Sequence, residues 1–164
     1  GVALKLTPSR SAYPVGVPVE FTLDITNKGP ASCWVSQVPD GVMRMVSLTR
    51  DGRAVDPGMS TGGYVDGFAS HLRRNLVLLA PGELLSLSLV SEPSRTVESR
   101  QTLETASLTS TDEAALTFWP LDVPGHYVVS VRYAVPELSE APADICAAAD
   151  VPVEARFTVV GGAP

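Results

Sequence analysis

The chain has 164 residues, of which 45% are hydrophobic and 18% are charged, a balance typical of a globular protein and not of a disordered one. Its 12 basic and 18 acidic residues give a net charge of -6, and the basic residues form no stripe, which argues against a nucleic-acid partner. No apolar run approaches the roughly 20 residues that a membrane-spanning helix needs. We therefore expect a single domain over residues 1–164 that uses no cofactor.

The composition predicts a bacterial source, and the N-terminus leaves room for an export signal. Gly1 directly precedes a predicted strand, so we expect that a tag or a signal segment has been removed before it and that the native N-terminus is missing. Arginine is far more frequent than lysine, and Ala and Val are abundant, which is typical of a GC-rich genome. The expected location is the periplasm, the cell surface or the medium, with membrane contact only through a missing N-terminal anchor.

Alternation of apolar and polar residues predicts four strands in the first third of the chain. A short strand covers residues 2–7, and the clearest one covers 19–27 and ends in an Asn-Lys-Gly-Pro turn. A third strand begins at Cys33, and the place of Trp34 in it is similar to that of the core Trp on strand C of immunoglobulin domains, although the usual neighbouring Cys pattern is absent. The fourth covers residues 42–50 and continues through Asp51-Gly52, a strong hairpin signal.

In the long loop 56–73 this periodicity disappears over residues 56–70, which carry isolated apolar side chains among four glycines. A connection of this length is often a binding loop or a lid. Aromatic side chains concentrate at the energetic centres of interfaces, so this segment is the predicted partner-binding loop. Its candidate contact residues are Met59, Tyr64, Phe68 and His71. The alternative is that the aromatic residues fold back and cover an edge of the sandwich.

Strand character returns at residues 75–79 and 85–89, which a Pro-Gly turn separates. Residues 92–113 are polar, and they predict a second long loop or a short helix around 100–106. Residues 118–135 contain two strand-like runs joined at Pro124-Gly125. There the pattern Asp122-x-x-Gly125-x-Tyr127 is similar to a tyrosine corner, in which the Tyr hydroxyl bonds back to the turn. A last strand covers residues 151–160.

These elements predict an all-β fold, an antiparallel immunoglobulin-like sandwich of about eight or nine strands with two long loops. A jelly-roll or a small barrel is the alternative. An α/β fold would need crossover helices between parallel strands, and the sequence shows no pattern for them.

The residue types needed for hydrolytic catalysis do not form a recognisable motif, so we expect a protein that is not an enzyme. A nucleophile needs a base and an orienting group, and the chain has only two histidines. His126 lies in the Pro124-Gly125 turn, where it is expected to be solvated. His71 follows the Gly-rich segment and is the better candidate base.

No metal site is expected either. Thioether and imidazole groups suit copper, but Met43 and Met45 are two positions apart on one strand and are more simply core residues. The acidic residues show no regular calcium-loop spacing. The residues that such sites would use are Met43, Met45, Met59 and His71 for copper, and Asp56, Asp66, Asp112 and Glu113 for calcium.

Cys33 and Cys146 lie far apart in the sequence and match no zinc motif. They either form a disulfide, as an exported protein allows, or remain two buried thiols.

Several turn and core signals, taken in order, resemble the bacterial BsuPI-type proteinase-inhibitor domain. They are FTLDITNKG at 21–29, Asp51-Gly52, LAPGE at 79–83, Trp119, and PGHYVV at 124–129. The resemblance implies an immunoglobulin-like sandwich that inhibits a proteinase, although the segments 56–73 and 92–113 and the last strand depart from it. We expect a non-catalytic exported module that binds a protein or cell-envelope partner. The alternative is a structural or accessory module of a larger envelope assembly.

Overall fold

The computed structural model of this protein describes residues 1–60, 67–94, 100–149 and 151–161, and at Met59 and Ser60 it describes the backbone alone. Fourteen strands and one helix lie within these residues. In chain order they are β1 Val2–Pro8, β2 Ala12–Pro14, β3 Glu20–Asn27, β4 Cys33–Ser36, β5 Met43–Arg50, β6 Arg53–Ala54, β7 Gly58–Ser60, α1 Phe68–Arg74, β8 Leu76–Leu79, β9 Leu84–Val90, β10 Glu92–Pro93, β11 Gln101–Leu108, β12 Ala114–Pro120, β13 Gly125–Tyr133 and β14 Val153–Val160.

Two sheets form the sandwich, and they confirm the predicted all-β antiparallel fold class. One sheet has three strands in the order β1-β3-β9, and the other has five in the order β2-β14-β13-β5-β6. Every pair of neighbouring strands in them is antiparallel except β2 and β14, which run parallel over three residues. Eight strands of the described chain have seven or more residues, and one of them, β11, lies in a segment that the sequence predicts as a loop or a helix.

The main core lies between these two sheets, and its centre is aromatic. The ring of Phe157 on β14 stacks on that of Tyr127, with 5.1 Å between centroids. It also meets the ring of Phe21 from the opposite sheet edge-on at 5.3 Å. Phe21, Leu23 and Ile25 are all buried, so β3 presents to the core the face that its alternation predicts.

The turn before β13 is a tyrosine corner, as the sequence predicts. The hydroxyl of Tyr127 donates a hydrogen bond to the carbonyl oxygen of Val123 at 2.6 Å. The neighbouring Asp51 in the β5–β6 hairpin accepts a bond from the His126 amide at 2.9 Å. A side chain at Gly125 would place its Cβ only 2.7 Å from Cγ of Arg50, so this close approach of two turns requires glycine.

A second layer packs against the sandwich, and much of it comes from the segments 56–73 and 92–113, which the sequence predicts as loops. β11 and β12 form a hairpin, which β7 and β10 extend into a four-stranded sheet of order β10-β11-β12-β7. The helix α1 packs on this sheet through Phe68 and Leu72, which form a separate small core with Ala114 and Leu116. The prediction of a loop or a short helix in residues 92–113 is therefore wrong, because residues 101–108 form a strand.

The disulfide between Cys33 and Cys146 is present. It joins β4 to the long segment between β13 and β14, and hydrogen bonds reinforce the join. The amide of Trp34 donates to the carbonyl of Asp144 at 2.8 Å, and the amide of Cys146 donates to the carbonyl of Trp34 at 2.9 Å. Trp34 itself is only partly buried, unlike the core Trp on strand C with which its place was compared. The tryptophan in the main core is Trp119 on β12.

Within the described residues, the structure has no helix of the length and apolarity that crossing a membrane requires.

Candidate functional site

The predicted partner-binding loop is partly ordered secondary structure. Met59 lies in β7, where its backbone pairs with Thr117 of β12. Tyr64 falls outside the described residues, and so does the side chain of Met59. Phe68 and His71 are both on α1. The structure therefore describes the side chains of only two of the four candidate residues.

Phe68 does not serve as an exposed aromatic contact, because its side chain is only 4% exposed. Phe68 and Leu72 are four positions apart and share one face of α1, and this face packs on the β11–β12 hairpin. Leu72 also packs against Gly41, where any Cβ would lie 2.7 Å from the Leu72 methyl group. The sequence prediction missed this helix because it has only seven residues and follows a Gly-rich stretch.

His71 is partly exposed on the surface of α1. Its ring stacks on that of Phe68, with 5.9 Å between centroids. Its Nε2 atom lies 3.7 Å from a carboxylate oxygen of Asp40, whose side chain is 55% exposed. The other histidine, His126, is exposed, and its Nδ1 lies 3.0 Å from the hydroxyl of Thr158.

Met43 and Met45 are buried in the main core, which agrees with their interpretation as packing residues. Among the residues that the structure describes, no group of three or more His, Cys, Asp or Glu side chains is arranged to hold a metal ion.

A groove of about 300 Å³ lies between the β5–β13 pair and the β11–β12 hairpin, and no pattern in the sequence pointed to it. The described residues that line it include two arginines, Arg44 and Arg132, and no aspartate or glutamate. Three hydroxyl residues from the hairpin, Thr105, Ser107 and Thr117, line the opposite wall. In a protein with a net charge of -6, this makes the groove a local positive site.

The register of β5 against β13 places the two arginines directly opposite each other. Arg132 is the pairing partner of Arg44, and both side chains are exposed. In such a pair the Cβ atoms lie about 5 Å apart. Within the described part of the chain, neither arginine forms an ion pair or a side-chain hydrogen bond.

A bulge sets this register. The pairing shifts between Ser130 and Val131, so that Val46 on β5 is passed over and Met45 pairs with Val131. As a result Met45 is turned into the core and Arg44 onto the outer surface. Bulges re-aim side chains in this way and are common next to binding sites.

One residue that lines the groove carries a buried donor with no partner. Trp119 lines the groove and is 9% exposed, and its indole N–H is the one buried side-chain polar atom among the described residues that has no hydrogen-bond partner. An unsatisfied buried donor needs an explanation, since the large majority of buried polar groups are hydrogen-bonded. The donors around the groove suit a ligand that supplies acceptor atoms.

Comparison with known proteins does not place this chain in a family. No family model matches it, and no curated protein does. Among solved structures it is similar to part of a β-glucosidase from Erythrobacter marinus, with 14% identity and a TM-score of 0.45. That match covers 98% of this chain, but the chain spans only 15% of the glucosidase.

A second similar structure is AvmM, which catalyses macrocyclization in alchivemycin A biosynthesis, with 13% identity and a TM-score of 0.36. The match covers 99% of this chain and 90% of AvmM. At these values neither likeness carries an argument about function.

Proposed function

We propose that this protein is a non-catalytic, exported binding module that holds a segment of a partner protein in the groove between the β5–β13 pair and the β11–β12 hairpin. The groove is the observation that carries the proposal. It is a recess formed where the second layer meets the sandwich, and hydrogen-bond donors line it. Recesses with an apolar lining and a few placed polar groups are the usual form of a binding site.

The disulfide supports the exported location. Such bonds persist in oxidising compartments and are rare in reducing ones. This one closes a loop between residues 113 positions apart, and it holds the segment after β13 against β4. That segment begins at the groove, because Ala134 and Pro136 line it.

Proteinase inhibition is the most specific version of the proposal, and it rests on the sequence resemblance to the BsuPI-type domain. The test is a titration of serine, cysteine, aspartic and metallo-proteinases with the purified, oxidised protein. We expect near-stoichiometric protection of a substrate from one of these classes. If no class is inhibited, this version is wrong.

The groove itself is tested with a pair of matched substitutions. Ala134 is exposed and lines the groove, so Ala134→Trp fills it, whereas Ala3→Trp puts the same bulk on the exposed face of β1. We expect Ala134→Trp to abolish the inhibition, or the capture of an envelope protein, that wild type and Ala3→Trp both retain. Equal behaviour of the two variants would refute binding in the groove.

The non-catalytic part of the proposal has its own test. His71 is the better placed of the two histidines for a base, because it lies near Asp40. A hydrolytic activity that is present in wild type and lost in His71→Ala would overturn this part.

A further inference from the structure

We infer that the groove recognises a carboxylate group on its ligand, and that Arg44 and Arg132 bind it together. This inference rests on the proposed function, since it names the chemical group of the partner segment that occupies the groove.

The first argument is the arrangement of charge. Like charges directly opposite each other on neighbouring strands are destabilising, and Arg44 and Arg132 are in that position. Neither is neutralised by a carboxylate among the described residues. An anion between the two guanidinium groups would remove the repulsion and gain charge-assisted hydrogen bonds. The planar guanidinium fork matches the geometry of a carboxylate, which it can bind in bidentate fashion.

The second argument is the set of uncharged donors. The hydroxyl residues Thr105, Ser107 and Thr117 line the groove. Trp119 also lines it, and its buried indole N–H has no acceptor within the described chain. A ligand that brings several oxygen acceptors would complement this set. A cationic ligand would face two arginines with no acidic side chain in the described lining to offset them.

The third argument distinguishes a carboxylate from an inorganic anion. Besides its donors, the groove is lined by apolar residues, among them Ala106, Ala134 and Pro136. Burying apolar ligand surface against these residues is favourable, and a bare phosphate or sulfate ion has no such surface. An acidic or C-terminal residue of a partner protein has both a carboxylate for the arginines and apolar surface for the apolar lining.

The test uses hexanoate as the probe and hexanamide as its uncharged counterpart, at constant ionic strength. Trp34→Phe leaves Trp119 as the single tryptophan, so the fluorescence of that variant reports on the groove wall. We expect saturable binding of hexanoate that weakens as salt is added, and no comparable binding of hexanamide.

Arg44→Gln and Arg132→Gln are the decisive variants, and Arg53→Gln is the matched control. Arg53 is also an exposed arginine, and it pairs with the far end of β5, so its replacement changes the net charge equally. Loss of one charge-assisted pair should raise the dissociation constant for hexanoate about tenfold. Arg53→Gln should leave it unchanged.

Three results would overturn the inference. They are equal binding of hexanoate and hexanamide, tighter binding of inorganic phosphate than of hexanoate, and no saturable binding at all. Failure of the proposed function looks different. If the groove binds hexanoate but no proteinase is inhibited and no envelope protein is captured, the inference stands and the proposed function is removed. Partner capture that Ala134→Trp blocks but Arg44→Gln and Arg132→Gln do not would remove the inference alone.

Discussion

Opening the Cys33–Cys146 disulfide should remove a large part of the stability of this protein. In the chain-entropy model, a cross-link limits the unfolded chain, and its contribution grows with the length of the closed loop. For a sequence separation of 113, this gives about 5 kcal/mol in the free energy of unfolding at room temperature. Domains of this size have a total stability of about 5 to 15 kcal/mol, so the reduced protein should be marginal.

The measurement is urea unfolding of the oxidised and the reduced protein, followed by circular dichroism. With a denaturant slope of about 2 kcal/mol per molar, reduction should lower the urea midpoint by about 2.5 M. Cys33→Ala with Cys146→Ala is the control, because its midpoint should be low and should not respond to reductant. The oxidised wild type should also show no titratable thiol.

A stability loss below about 1 kcal/mol would refute the reasoning, because the loop-closure term alone is several times larger. Such a result would mean that the segment around Cys146 is held as firmly without the bond. Two backbone hydrogen bonds would then hold this segment against β4, one between Trp34 and Asp144 and one between Cys146 and Trp34.

Three further predictions concern buried polar groups. Tyr127→Phe removes the 2.6 Å bond to Val123 and should lower the free energy of unfolding by about 1 kcal/mol. Asn27→Ala should cost about 3 kcal/mol, because the buried Asn27 amide donates to the carbonyl oxygens of Ala31 and Leu79, each at 2.9 Å. Burial raises the pKa of Tyr133 to about 12. Its neutral form is therefore favoured in the folded state, and stability should fall by about 3 kcal/mol between about pH 10 and 12.

Each of these three predictions can be contradicted, and two of them have a control variant. Tyr133→Phe should flatten the alkaline loss of stability, and an unchanged loss would contradict its assignment to this hydroxyl. The comparison for Asn27 is Asn75→Ala at the end of α1, which should cost less because Asn75 is only partly buried; equal costs would show that burial is not the reason. Urea midpoints of Tyr127→Phe and wild type that coincide would show that the corner bond is not stabilising.

Features that depend on neighbouring residues could be predicted from the sequence. The faces of β3 and β13 follow from strict alternation, because successive side chains of a strand point to opposite sides. The β5–β6 hairpin follows from Asp51-Gly52, and both residues have the positive φ angles that this turn requires. The tyrosine corner follows from the spacing of Gly125 and Tyr127.

Features that depend on distant residues could not be predicted in this way. β11 contains few strongly apolar side chains, and its pairing with β12 makes it a strand. Phe68 looks available for a partner until α1 packs on the β11–β12 hairpin and buries it. The candidate site was missed altogether, since Arg44 and Arg132 each occupy an ordinary polar position on a different strand.

The sequence by itself determined the fold class, the long strands other than β11 and the main turns, because these are set by local periodicity and turn chemistry. The tertiary structure alone decided which of those strands are neighbours, and with them the disulfide, the second layer and the groove. The bulge at Val46 shows why. One extra residue in β5 changes the register against β13, and only that register brings two arginines 88 positions apart (132 minus 44) to one site.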